Sequence, residues 1–175
     1  LKDGETDLKE MVAAAALANA ETFGGEDYVG FHTEMALLPA YQIAHELPKE
    51  KQPLPILKVL YRNTHRIQES DWAKKKILKP VSPIDLPKGA NGAKEMRAAM
   101  RAVDLKRSEQ LFAGQVNKSI KDAYNQMLWM VQDNADVHRF VLAHRAFALI
   151  QIVGEQDAHT LLRQCVRYCL AVEKL

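Results

Sequence analysis

Residues 155–175 read EQDAHTLLRQCVRYCLAVEKL. Within them Ala158, Leu161, Leu162, Cys165, Val166, Cys169 and Leu170 recur at i, i+3, i+4 and i+7. That spacing puts them on one stripe of an α helix, with Arg163, Gln164 and Arg167 elsewhere on its surface. Gly154 stands just before this segment, and residues 136–153 carry a second helical pattern opened by Asp136. The pair predicts an antiparallel helical hairpin hinged at Gly154. The periodicity still runs at Leu170, Ala171 and Val172, so the last helix is expected to dock on something.

Outward from this hairpin the texture stays helical and strand signals are almost absent. Further helices are expected over 7–24, 29–46, 53–69, 93–112 and 119–132, which makes about seven in all. The first opens at Asp7, a good cap, and stops at Gly24-Gly25. Pro39 inside the second predicts a kink or a break. Pro53 or Pro55 suits the first turn of the third. Between the third and fourth, Lys74, Lys75 and Lys76 lead into Pro80, Pro83, Pro87, Gly89 and Gly92, a long extended connection. The fold class is all-α, built of antiparallel helical hairpins. An N-terminal helical unit is expected over 1–73, a Pro/Gly-rich connector over 74–92 and a C-terminal helical unit over 93–175, together one compact domain.

The 175 residues include 24 Lys+Arg against 22 Asp+Glu, 47% hydrophobic residues and two cysteines. That composition excludes collagen-like, disordered and low-complexity chains. A formal charge of +2 points to no nucleic-acid partner. The longest apolar stretch, residues 140–153, is interrupted by His144, Arg145 and Gln151, falls short of a membrane span, and reads as a buried helix. Leu1 opens a polar stretch with no basic and apolar leader pattern, so no signal peptide is expected in this chain, although one removed before Leu1 would leave the same start. The compartment is not legible.

Several chemistries are excluded by their motifs. The four serines, Ser70, Ser82, Ser108 and Ser119, include none in a nucleophile elbow. There is no phosphate-cradling Gly-rich loop and no haem-attachment C-x-x-C-H. His45-Glu46 lacks the second histidine of H-E-x-x-H, and no Glu-x-x-His pair of a di-iron bundle occurs. Six histidines remain, all on expected helices: His32, His45, His65, His138, His144 and His159. Glu34, Tyr41 and His45 share one face of the second helix, Tyr61 and His65 are i, i+4 neighbours on the third, and His144 lines up with Val137 and Phe140. Imidazoles among apolar residues suit acid–base work near neutral pH. Brought together they suit iron, zinc or copper, with His45, His65, His138 and Glu34 the candidate metal ligands. The plainer alternative for each is a hydrogen-bonded histidine at a packed interface.

Cys165 and Cys169 fit the apolar stripe as core residues, and the six methionines fit core filling. Asp133, Asp136, Glu155 and Asp157 at helix ends are explained by capping. The lysine run beside Trp72 reads as a solvated flank of the connector.

Residues 24–41, GGEDYVGFHTEMALLPAY, and 141–169, VLAHRAFALIQIVGEQDAHTLLRQCVRYC, together resemble segments of questin-oxidase-like proteins. The first is similar to a Gly-rich opening followed by a histidine and a Met-Ala-Leu helix, the second to His-centred helices ending in a small-residue hinge. The resemblance implies an all-helical enzyme that inserts oxygen into aromatic polyketides, with His32 and His144 at the matching positions.

The leading expectation is a small-molecule-binding helical protein with a histidine-lined pocket, an oxidoreductase of oxygenase type acting on an apolar organic substrate. His32 or His144 would deprotonate the substrate or hold an oxyanion, with Tyr41 or Tyr61 as hydrogen-bond donor. No motif requires a cofactor, and His-bound iron, copper or haem is a variant of this reading. The competing expectation is a non-catalytic helical subunit that docks a partner protein in a homo- or hetero-oligomer. The still-apolar last helix and the proline-rich connector motivate it.

Overall fold

The computed structural model describes residues 7–69, 71 and 77–173. Asp7 starts α1 (Leu8–Phe23) by accepting a hydrogen bond from the Lys9 backbone N–H at 2.8 Å. The helix stops at Gly24, whose φ of 52° lies in the left-handed region and whose N–H donates to the Ala20 carbonyl. Asp27 then caps α2 (Tyr28–Glu46), accepting from the Gly30 N–H at 2.7 Å while Arg66 grips the same carboxylate from α3. The bounds of α2 run across Pro39 without a break. A 3-10 turn (Lys49–Lys51) leads into α3 (Pro53–Glu69), which packs on α1 and α2. The three helices are tied by a buried amide: Asn19 of α1 donates to Asn63 of α3 at 2.7 Å and to the Gly30 carbonyl of α2 at 2.8 Å.

The C-terminal half consists of α4 (Gly92–Arg101), α5 (Leu105–Val116), α6 (Ile120–Gln132), α7 (Val137–Val153) and α8 (Ala158–Glu173), with a second 3-10 turn (Glu155–Asp157) before α8. Among the described residues there are thus eight α helices and no strand. The all-α fold class stands, with one more helix than the sequence predicts. The extra one arises where a single helix is expected over 93–112. Val103 takes a φ of 53°, and Asp104 caps α5 by accepting from the Arg107 N–H at 3.0 Å. Ala99, Met100, Ala102 and Val103 carry the helical pattern up to that cap and mask the stop. Gly154, at φ 112°, makes the turn between α7 and α8 as expected.

One contiguous hydrophobic cluster takes residues from all eight helices, among them Val12, Leu37, Ile56, Met96, Leu111, Met127, Leu142 and Leu161. Segments on both sides of the connector therefore share one core. From residue 77 the connector is described, and it lies on the bundle. The Leu78 N–H donates to the Glu21 carbonyl at 3.3 Å and the Ile84 N–H to the Gln110 carbonyl at 3.2 Å. The boundary expected at residues 73 and 74, Trp72 and the lysine run lie outside the described residues, as do residues 1–6 and 174–175.

The helix faces read from periodicity are completed in one case and corrected in another. Residues 161–170 of α8 are all buried, so Arg163, Gln164 and Arg167 do not face solvent. The apolar stripe of α8 docks on α1, α5, α6 and α7 of its own chain, which removes that motive for an external partner. Conversely, α7 buries one face only: Leu142, Ala146 and Leu149 are inside, while Phe140 is 57% exposed and Gln151 faces solvent. No helix among the described residues is long and apolar enough to cross a membrane.

The tightest backbone approach is at Gly114 in α5. A Cβ there would stand 2.1 Å from the Ile84 carbonyl oxygen of the connector. Helix propensity alone would make Gly114→Ala stabilising by about 1 kcal/mol. We expect a loss of about 2 kcal/mol instead, from displacement of the connector. Urea unfolding reads the sign, and a gain in stability would contradict the described seating of residue 84.

Candidate functional site

Three helices bring a cluster of rings together. In the first turn of α2, Phe31 is buried and His32 half-buried. His32 Nδ1 lies 2.6 Å from the Tyr28 carbonyl oxygen one turn back. A carbonyl only accepts, so Nδ1 carries the hydrogen, and in the neutral ring Nε2 keeps its lone pair. His138 sits in the first turn of α7, where Asp136 accepts from the backbone N–H of His138 at 2.8 Å and of Arg139 at 3.1 Å. The His32 and His138 ring centroids are 4.9 Å apart, edge to face. Phe31 is the hub, 4.8 Å from His32, 5.2 Å from His138 and 5.0 Å from Tyr168 of α8.

The cluster is fixed from behind. Arg139 is 1% exposed and donates to the Met130 carbonyl at 3.2 Å and to Glu173 at 3.1 Å, with Asp136 Oδ2 3.5 Å from its Nε. Burial, and next the charge of the Asp136 carboxylate, push the Tyr168 phenol up to about 12, so it stays protonated in the neutral range. On its other side His32 lines an open groove of about 360 Å³ between α2 and α3. Val29, Ala36 and Val59 supply apolar wall, Tyr28 (67% exposed) a ring at one edge, and Lys58 and Arg62 positive charge.

Other residues singled out in the sequence do not join this cluster. Tyr41 and His45 form a ring pair 4.5 Å apart at the far end of α2, with His45 exposed. Tyr61 and His65 stack 5.9 Å apart on α3, where Tyr61 is 70% exposed and His65 Nδ1 stands 3.5 Å from Glu69. His144 is exposed on α7, and no ring contact joins it to His32. Glu34, expected on one face with Tyr41 and His45, is fully buried and accepts from Gln164 Nε2 at 3.2 Å. Glu34 Oε2 and Gln164 Oε1 are left without partners. Burial lifts the Glu34 carboxyl to about 8 against the Gln164 hydrogen bond, so it is largely protonated near neutral pH. Cys165 and Cys169 are buried core residues, and burial first pushes both thiols up. No three His, Cys, Asp or Glu side chains among the described residues come together in a way that could hold a metal ion.

The pairing of His32 with His138, and the parts of Tyr28, Phe31 and Tyr168, are invisible to helix periodicity. Phe31 and Tyr168 look like ordinary helix aromatics until α2, α7 and α8 meet. His159, one of the six histidines, lies at the start of α8. It stacks on Phe112 at 6.0 Å, and burial lowers its basicity, with the charge of Arg163 acting the same way and that of Glu109 opposing. Compared with family models, curated proteins and solved structures, the chain matches none.

Glu34 gives a signed prediction. The unfolded chain ionises it near 4.5, whereas the folded chain holds the proton to about 8. Between those values folding takes up a proton, so stability falls as pH rises, by at most about 1.4 kcal/mol per pH unit, and levels off above. Glu34→Gln should therefore flatten the stability curve and gain most over the parent near pH 8. Parallel urea-midpoint curves from pH 5 to 8.5 would contradict the burial of an ionisable carboxyl there.

Proposed function

We propose that this protein binds a small, largely apolar organic molecule with an acidic O–H group in the α2–α3 groove, where His32 Nε2 accepts its proton. The observation that carries the reading is the 2.6 Å contact from His32 Nδ1 to the Tyr28 carbonyl, because it fixes which nitrogen is basic. The groove volume of about 360 Å³ suits a small ligand. Its apolar wall suits a hydrocarbon body, and Lys58 and Arg62 offer positive charge to the anion left after proton transfer. Lying 4.9 Å from His32, His138 favours the anion further whenever it carries a proton. This acid–base step is the part of an oxygenase reading that residues support; the oxidation itself rests on the questin-oxidase-like resemblance.

Docking on another polypeptide is a second reading with its own observation. Leu54 (59% exposed), Leu57 (38%) and Tyr61 (70%) follow helical spacing along α3, with Ile43 (49%) on α2. Light scattering separates the two readings, since docking on a second copy predicts a dimer.

The ligand reading is tested with 2-naphthol, titrated by its own fluorescence. His32→Phe keeps an aromatic ring but loses Nε2, and should weaken binding about tenfold, the worth of one hydrogen bond of about 1 kcal/mol or slightly more. Ala36→Trp fills the groove and should abolish saturable binding. Two variants that bind like the parent would sink the proposal.

A further inference from the structure

A second cavity, of about 460 Å³, lies beneath the connector between α5 and α8. Arg163 and Arg167, one turn apart on α8, line it, and both are more than nine-tenths buried at 5% and 8% exposure. Each donates to the same oxygen, Glu109 Oε1, at 2.8 Å. Arg163 also donates through Nη1 to the Lys79 carbonyl of the connector at 2.7 Å, and Arg167 reaches Glu26 through Nη2. Arg163 Nη2 then has no hydrogen-bond partner among the described residues. That nitrogen is not sealed from solvent, whereas Arg167 Nε is buried without a partner, and a guanidinium N–H open to a cavity is a place for an acceptor.

The charges and the walls define that acceptor. Arg163, Arg167 and Lys106 line it with one carboxylate, Glu109, while Glu26 is held by Arg167 from outside the lining. Burial alone would raise Glu109, but hydrogen bonds from Arg163 and Arg167 outweigh it and hold the group below its ordinary value, so it stays ionised. That standing negative charge disfavours a dianion beside Arg163. The remaining wall, with Ile77, Pro80, Val81 and Leu105, is apolar. We infer that the cavity under the connector binds a small monoanionic carboxylate, its head on Arg163 Nη2 and its hydrocarbon body between Leu105 and the connector. A planar carboxylate matches the guanidinium fork. Because Lys79 and Ile77 belong to the connector, such a ligand would pin that segment to the bundle. None of these residues belongs to the His32 groove.

The test uses benzoate as probe and benzyl alcohol as its neutral counterpart, with saturable binding followed by amide NMR shifts. Benzoate should bind at least tenfold more tightly than the alcohol and shift the Ser82 amide on the connector. Lys106→Gln, at the exposed mouth, should weaken benzoate severalfold, and Leu105→Trp should exclude it by filling the space. Leu105→Trp touches no charge, so it decides the matter even if Arg163→Lys fails to fold. Equal binding of acid and alcohol, no saturation by benzoate, or unchanged affinity in Leu105→Trp would each overturn the inference. His32→Phe should leave benzoate binding at this cavity unchanged, which keeps the outcome separate from that of the groove.

Discussion

The structure depends on the burial of one helix from every side. Ten consecutive residues of α8, 161–170, are out of solvent, and three of them are Arg163, Gln164 and Arg167. Groups that polar can sit there only with partners inside the protein. Each therefore recruits something from a distant segment: Glu109 and the Lys79 carbonyl for Arg163, Glu34 for Gln164, Glu109 and Glu26 for Arg167. Those partners come from α5, the connector, α2 and the loop after α1. These contacts tie α8 to four separate segments of the chain in addition to its apolar packing.

The same helix sets the position of the histidine cluster. Tyr168, the residue after Arg167, backs Phe31 at 5.0 Å, and Phe31 in turn spaces His32 from His138. Arg139 ties the start of α7 to the end of α8 through Glu173. The His32–His138 separation is thus held by buried contacts while both rings keep an accessible side. Rigid support behind a partly open imidazole is what a binding or proton-transfer site requires.

Much of the architecture was legible because helical periodicity is a local signal. The third helix, 53–69, is found where its prolines and apolar spacing place it, and Gly154 makes the expected turn. The stop at Val103 was not legible, because apolar residues on both sides continue the pattern across it. The burial of Arg163 and Arg167 is not legible, because an amphipathic pattern says which face is apolar and not what covers the other face. Site residues fared similarly. The sequence names His32 and His138, yet only the crossing of α2 and α7 makes them neighbours, and it leaves His144, Tyr41 and Tyr61 outside. A single chain carries no signal for such a crossing.

The proposed site requires His32 to offer a basic Nε2 to the groove. Nitrogen-detected NMR of the histidine side chains reads the tautomer directly, without a ligand and without a mutation. Neutral His32 is expected to carry its proton on Nδ1, with Nε2 unprotonated. A neutral His32 with its proton on Nε2 would contradict it, because the nitrogen offered to the groove would then be a donor with no lone pair to take a proton.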